Sequence, residues 1–320
     1  MNTLQKIFIA GHKGMVGSAV VRSLQKSGYQ DLVVKNRHEL DLTNQAETRE
    51  FIKDEEIDVV IDAAAKVGGI LANNTYPYDF IMQNMLIQNN LIQAAVENKI
   101  QKFIFLGSSC IYPKMAPQPL KEEYLLTGPL EPTNEWYAIA KISGIMACRA
   151  ARKQMGLNAI SLMPTNLYGF NDNFDLNGSH VLPAMIRKFH EAKENNTDVT
   201  LWGTGSPYRE FLHVDDIAAA TLFALENDLE DDLYNVGYGT DLTIKDLAEL
   251  VQKIVGHKGT IIWDKSKPNG TPKKLMDSSK LRKLGWEPKI KLEEGIQITY
   301  NWFLDSLESN HTLKGLKKNE

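Results

Sequence analysis

Tyr137 and Lys141 stand four residues apart in "EWYAIAKISG", and on a helix this spacing stacks a phenol and an ammonium on one face, one turn apart. A tyrosine with an ordinary pKa of about 10 loses its proton more readily beside a cation. The pair is therefore expected to lower the phenol's pKa and let Tyr137 give and regain a proton near neutrality. Tyr-x-x-x-Lys alone is common on helix faces, so its meaning depends on its company. Upstream, "LGSSCIYP" sets Ser108, Ser109 and Cys110 just past the apolar run Phe103-Ile104-Phe105, where a buried strand comes to its end. Two hydroxyls and a thiol at that position offer chemistry that another valine would not.

A third group lies near the start of the chain. "IFIAGHKGMVG" puts Gly11, Gly14 and Gly17 directly after an apolar strand and at the opening of a helix. Glycines at these places let the backbone turn tightly, admit a pyrophosphate to the amides, and pack helix against strand. After the second strand, where a carboxylate would bind a ribose 2′-hydroxyl, the chain offers Lys35 and Arg37, with Lys13 in the turn itself. These cations attract a 2′-phosphate, so NADP(H) is favoured over NAD. By chain position, Asp41-Leu42 and the run Ala63-Ala64-Ala65 are expected along the adenosine and pyrophosphate.

The elements that must hold these groups follow from periodicity. Strands are expected near Lys6 to Ala10, Asp31 to Lys35, Asp58 to Asp62, Lys102 to Leu106 and Asn158 to Met163. Helices are expected near Val16 to Ser27, Asn44 to Asp54, Tyr78 to Asn98 and Asn134 to Met155. Such a βαβ series predicts an α/β, Rossmann-like doubly wound parallel sheet covered on both faces. After Pro164 the pattern changes to Asn- and Gly-rich loops, a helix near Val181 to Ala192, and a strand near Val199 to Trp202. A helix over Asp215 to Glu226, with Asp215 as N-cap, and the strand "LYNVG" return toward the main sheet. The expected division is 1–165 plus roughly 208–240 as the dinucleotide domain, roughly 166–207 and 241–310 as a smaller α/β substrate-binding domain, and 311–320 as a polar, frayed tail.

Composition narrows the classes. Hydrophobic content of 43% and charged content of 24% over 320 residues are those of a soluble globular chain able to bury a large core. A formal net charge of -4 supports neither a nucleic-acid nor a membrane-surface partner. The first residues carry no export pattern, no run is long enough to span a bilayer, and only Cys110 and Cys148 are present, so a reducing cytoplasm is expected. Cys148, in an Ala-rich helical pattern, reads as a small buried hydrophobe. His213 reads as structural, and no histidine stands at metal-ligand spacing from cysteines or carboxylates, so no metal is expected.

Taken together with "AAAKVGGILANNTYP", "FLGSSCIYPK", "EPTNEWYAIAK", "MPTNLYG", "REFLHVDD" and "SKPNGTPKKLMD", these motifs resemble the extended short-chain dehydrogenases/reductases over nearly the whole chain. Within them, the chain is similar to the bifunctional epimerase-reductases of GDP-4-keto-6-deoxy-D-mannose. The resemblance implies that a 4-ketone acidifies C3 and C5, that each proton is removed from one face and returned on the other, and that hydride then reaches C4. It assigns the base to Cys110 and the acid to His180, with Ser108 and Tyr137 holding enolate charge on the C4 oxygen. A thiol's ordinary pKa of about 8.5 suits that exchange, and nearby positive charge raises its thiolate fraction.

Cofactor contacts implied are Gly11, Lys13, Gly14, Met15, Val16, Gly17, Lys35, Arg37, Asp41, Leu42, Ala64, Leu106, Gly107, Tyr137, Lys141, Pro164, Asn166, Leu167 and His180. Substrate contacts implied are Ser108, Ser109, Asn166, Lys188, Trp202, Arg209 and Asp277. The family pattern carries two arginines at the 2′-phosphate; here Lys13 and Arg37 keep the charge but lose one bidentate fork. A homodimer through the long helices is also implied. Without the resemblance, His180 reads as a helix cap. Competing readings are a 4-epimerase or a 4,6-dehydratase on the same fold, although Ser109-Cys110 stands where a dehydratase typically carries an acidic pair. A non-catalytic NADP-binding regulator is the third reading, opposed by the intact Tyr137 and Lys141.

Overall fold

The computed structural model describes residues 4–176, 178–267, 269–309 and 313–316. The chain runs β1 (Ile7–Ala10), α1 (Met15–Lys26), β2 (Leu32–Val33), α2 (Gln45–Asp54), β3 (Val59–Asp62), α3 (Ile70–Thr75), α4 (Pro77–Glu97), β4 (Lys102–Leu106), α5 (Glu135–Met155) and β5 (Ala159–Pro164). It continues with β6 (Asn166–Tyr168), α6 (Val181–Asn195), β7 (Val199–Trp202), β8 (Tyr208–His213), α7 (Val214–Glu226) and β9 (Leu233–Val236). Last come β10 (Asp241–Thr243), α8 (Ile244–Val255), β11 (Ile261–Asp264), β12 (Lys273–Lys274), α9 (Ser279–Lys283) and α10 (Leu292–Glu308).

The main sheet is six-stranded in the order β2-β1-β3-β4-β5-β9, and every pairing in it is parallel. Alternation along each strand divides its side chains between two cores. Phe8, Val60, Phe103 and Phe105 pack with Leu91 and Ala94 of α4 and Ile145 of α5. Ile7, Ile9, Ile61 and Ile104 pack with Val20 of α1 and Ile217 of α7. Both faces are dry, which is why these strands read as continuous apolar runs rather than alternating ones. The helix ends follow their local chemistry: Asn44 caps α2 through Ala46 N at 3.1 Å, and α5 stops at Gly156, whose φ is +73°.

A second sheet is built on β8, which pairs antiparallel with β10 and parallel with β12 and β6. β7 and β11 form a separate parallel pair, and a third core of α6, α8 and α10 packs Phe189, Val251 and Phe303. Glu210, fully buried in β8, ties three segments together. Its Oε1 accepts from Gly239 N at 2.6 Å and its Oε2 from Met276 N at 2.9 Å, while its carbonyl accepts from Asn166 Nδ2 at 2.8 Å. Among the described residues no helix is long and apolar enough to cross a membrane.

Two expectations need correcting. Asp215 is not the N-cap of α7: His213 is, its Nδ1 accepting from Asp215 N at 3.2 Å, and Asp215 instead pairs with Arg22 at 2.8 Å. The tail is not uniformly frayed. Leu313 is buried in the third core, Phe174 N donates to Lys314 O at 2.9 Å, and Lys314 Nζ donates to Lys13 O at 3.3 Å. A stretch that is polar on average docks through one leucine and its backbone. Residues 311, 312 and 317–320 of that expectation lie outside the described residues.

Candidate active site

The glycine turn tests directly whether a dinucleotide fits. Gly11 has φ +80°, a conformation that side chains rarely adopt, and a Cβ there would lie 2.7 Å from Ala63 O. A Cβ on Gly17 would lie 2.2 Å from Gly11 O. The turn is thus closed against its own side chains while α1 begins at Met15 with no side-chain cap on its first amides. Such amides suit an anion. His12 Nδ1, buried without a partner, lies in the same turn. Lys13 and Arg37 are exposed, Arg37 lies 3.8 Å from Asp41 Oδ2, and Lys35 sits 5.9 Å from the Phe51 ring. Asp41 accepts from Thr43 N and Oγ1, bonds that hold its carboxyl below the usual range. Leu42 O accepts from Asn90 Nδ2 at 2.9 Å. Glu39, not foreseen, is drawn down by the Asn36 amide and also feels the Lys35 and Lys13 charges.

The strand-end hydroxyls and thiol sit on one 3-10 turn, Ser109–Ile111, capped by Ser108, whose Oγ accepts from Cys110 N at 3.3 Å. Gly107 N donates to Leu162 O at 2.9 Å, which fixes the crossing from β4 into this turn. Ser109 and Cys110 are both buried and line a cavity with Asn134, Lys273 and Lys274. Asn134, the residue before α5, leaves its Oδ1 buried and without a partner. Cys110 and Cys148 are free thiols.

Lys141 is buried, donates from Nζ to Leu106 O at 2.8 Å, and lies 4.6 Å from the Phe105 ring centroid and 6.0 Å from that of Tyr137. Its pKa is lowered by burial, with Asp62 and Cys110 opposing. The expected depression of the Tyr137 pKa is contradicted. Burial, then the charges of Cys110 and Asp62, push the phenol up, because the helix spacing fixes the ammonium's place but says nothing of how dry the site is. Burial also raises the Cys110 thiol, opposed first by Lys274, then by the Ser108 hydroxyl and Lys141.

Asp62 was read only as the end of a strand. It is fully buried, with Ala64 N donating to its Oδ1 at 3.1 Å and its Oδ2 without a partner. It shares a sheet face with Phe105, its register partner, and burial pushes its carboxyl up to about 6 against the pull of Lys141. An acid in an apolar strand run was the available signal.

His180 stands at the N-cap of α6 with an exposed side chain that makes no capping bond, so the capping alternative does not hold. Partial desolvation of its ring and then the Lys274 charge hold its imidazole below the ordinary value. His213 is buried with edge-on rings of Tyr168 and Phe170, as a structural histidine should be. Among the remaining residues, Lys188 Nζ donates to Thr200 O at 3.0 Å beside the half-exposed Trp202. Arg209 Nη1 donates to Tyr208 O at 2.7 Å, and Asp277 Oδ1 accepts from Ser279 N at 3.0 Å. Pro164 ends β5, and Asn166 and Leu167 lie in β6 opposite Phe211 and Leu212. Lys274, which electrostatics couples to Cys110, His180 and Arg209, was missed. Its "PKK" setting looks like any solvated pair.

Comparison with known proteins follows the same outline. The chain is 59% identical to a putative GDP-L-fucose synthase 2 of Arabidopsis thaliana over 94% of this chain and 92% of that one. It is 53% identical to a GDP-L-fucose synthase of Escherichia coli K12, covering 94% and 97%. A crystal structure of a GDP-L-fucose synthetase from Naegleria fowleri bound to NADP superposes with a TM-score of 0.86 at 26% identity, covering 96% of each chain. Residues 7–237, from the glycine-turn strand through β9, match a single family model, and with the parallel sheet and the Tyr137–Lys141 helix in place the chain belongs to the NAD dependent epimerase/dehydratase family.

Proposed function

We propose that the protein is a bifunctional NADPH-dependent 3,5-epimerase and 4-reductase that converts GDP-4-keto-6-deoxy-D-mannose to GDP-L-fucose. The observation that carries the reading is the buried Cys110 thiol lining a cavity one 3-10 turn from the strand whose carbonyl, Leu106 O, anchors Lys141. High identity to GDP-L-fucose synthases supports it.

In this reading Cys110 takes the proton from C3 or C5 on one face of the sugar, and the imidazolium of His180, a stronger acid for its lowered pKa, returns one on the other face. Electrons left on carbon move to the C4 oxygen, held by the Ser108 hydroxyl and the Tyr137 phenol. Tyr137 then delivers its proton to that oxygen as C4 is reduced. The Gly11–Gly17 turn, Lys13, Lys35 and Arg37 would hold NADPH, which would supply the hydride. Lys141 orients the Tyr137 end of the site through its bond to Leu106 O. Lys188, Trp202, Arg209 and Asp277 receive the GDP-sugar, with Arg209 suited to a diphosphate and Trp202 to a flat ring.

The assay that decides between substrates is NADPH oxidation across GDP- and UDP-linked 4-keto sugars. Consumption is expected with GDP-4-keto-6-deoxy-D-mannose, with GDP-L-fucose as product; turnover of UDP-sugars alone overturns the reading. We propose a homodimer, supported by exposed apolar residues at helical spacing on α4 (Tyr78, Met82, Leu86) and α5 (Trp136, Ile139, Met146). Sedimentation is expected to give a dimer, and Leu86→Arg a monomer; a monomeric parent sinks this part. The two free thiols support a reducing cytoplasm as the working compartment, where cell fractionation should recover the activity.

A further inference from the structure

One cation of the cleft has no assigned work. Lys274 is the last residue of β12 and stands in parallel register with Arg209 of β8. Two residues on, Met276 N is held by the Glu210 carboxylate at 2.9 Å, so this backbone is fixed on both sides. The neighbouring cations have partners. Lys273 Nζ lies 3.2 Å from Asp241 Oδ2, Lys114 Nζ lies 2.8 Å from Glu131 Oε2, and Lys141 donates to Leu106 O. No hydrogen bond or ion pair engages the Lys274 ammonium among the described residues, yet it lines the cavity together with Cys110.

We propose that Lys274 is a positioning residue for proton abstraction, its ammonium stabilising the thiolate of Cys110 across the shared cavity. This rests on the reading of Cys110 as the base. The step is a proton transfer only: the C–H bond breaks, the S–H bond forms, and the electron pair goes to the C4 oxygen. Burial makes the sulfur hold its proton more firmly, and the Lys274 ammonium offsets part of that effect, raising the fraction of thiolate available to take a proton.

The groups around the sulfur leave few alternatives. From α5 come Tyr137, which is neutral, and Lys141, whose charge ranks below that of Lys274 in its effect on the thiol. Ser108 supplies a hydroxyl from the same turn, and Glu131 and Lys114 on the cavity wall neutralise one another. Burial holds the Lys274 ammonium below its ordinary value, opposed first by Cys110; from β8, Arg209 adds to the lowering and Glu210 opposes it. At the start of α6, His180 is pushed toward neutrality by desolvation first and then by Lys274. One lysine thus acts on the two groups assigned to opposite faces of the sugar.

The test is the rate of Cys110 alkylation by iodoacetamide as a function of pH, in a Cys148→Ala background and without substrate. Lys274→Gln is expected to move the midpoint upward by about one pH unit, slowing alkylation about tenfold at pH 7, and Lys274→Arg to restore most of it. Solvent-deuterium exchange at C3 and C5 should fall in parallel while NADPH binding, which also reports folding, stays unchanged. A midpoint identical in Lys274→Gln and its parent overturns the proposal. So does a variant that alkylates normally and only raises KM, which makes Lys274 a diphosphate ligand. Because alkylation needs no sugar, a wrong substrate assignment leaves this result standing. Exchange that survives Cys110→Ser would sink the base assignment while the alkylation shift remained.

Discussion

Replacing Cys110 by serine is expected to suppress deuterium entry at C3 and C5 of GDP-4-keto-6-deoxy-D-mannose while NADPH still binds. The substitution is small and removes no packing of consequence, since the thiol is buried at a cavity wall rather than inside a core layer. What it removes is an acid with an ordinary pKa of about 8.5, replaced by a hydroxyl that no local charge can bring near neutrality. General acid–base catalysis by one group is worth about 10² to 10⁴ in rate, and exchange is expected to fall by at least the lower figure. Proton NMR of the sugar in deuterated solvent measures it, and cofactor fluorescence checks binding. Exchange at the parent rate removes Cys110 from the mechanism. The variant should still deliver hydride to some unepimerised ketone, leaving a product that keeps its configuration at C3 and C5.

Tyr137→Phe should lower the rate of reduction by about 10² to 10⁴ with little change in NADPH affinity. The ring keeps its edge contact with Phe80, whose centroid lies 6.3 Å away, so the loss is confined to the hydroxyl. The pH dependence follows from the direction of the shift. Burial, with Cys110 and Asp62, raises the phenol above its ordinary pKa of about 10, so it stays protonated through neutrality and is a competent donor there. No loss of reduction from Tyr137 ionisation is expected between about pH 6 and 9. Stopped-flow measurement of hydride transfer across that range checks this. A phenylalanine variant with near-parent reduction, or a parent whose rate tracks a tyrosine ionising near pH 8, counts against the assignment.

Strands and helices were legible in the chain where a single period ran without interruption. Lys102 to Leu106 and Val199 to Trp202 lie at the expected bounds, and the strand after α7 joins the main sheet beside β5. The glycine turn was legible because a tight approach of backbone to backbone leaves so few residue choices. What could not be read was anything that depends on depth. The i, i+4 spacing placed Lys141 by Tyr137 but carried no information on desolvation, which reverses the phenol's shift. Lys274 reaches the cavity only because two residues of β12 align with Tyr208 and Arg209, a pairing between segments more than sixty positions apart. Leu313 packs into the third core, and average polarity hides one such side chain.

Glu210 has a mechanical consequence. Its carboxylate accepts hydrogen bonds from the Gly239 and Met276 amides in a dry interior; burial raises its pKa and these bonds oppose that, offsetting part of the cost of holding the charge there. The seam between the two sheets therefore behaves as a weld rather than a hinge.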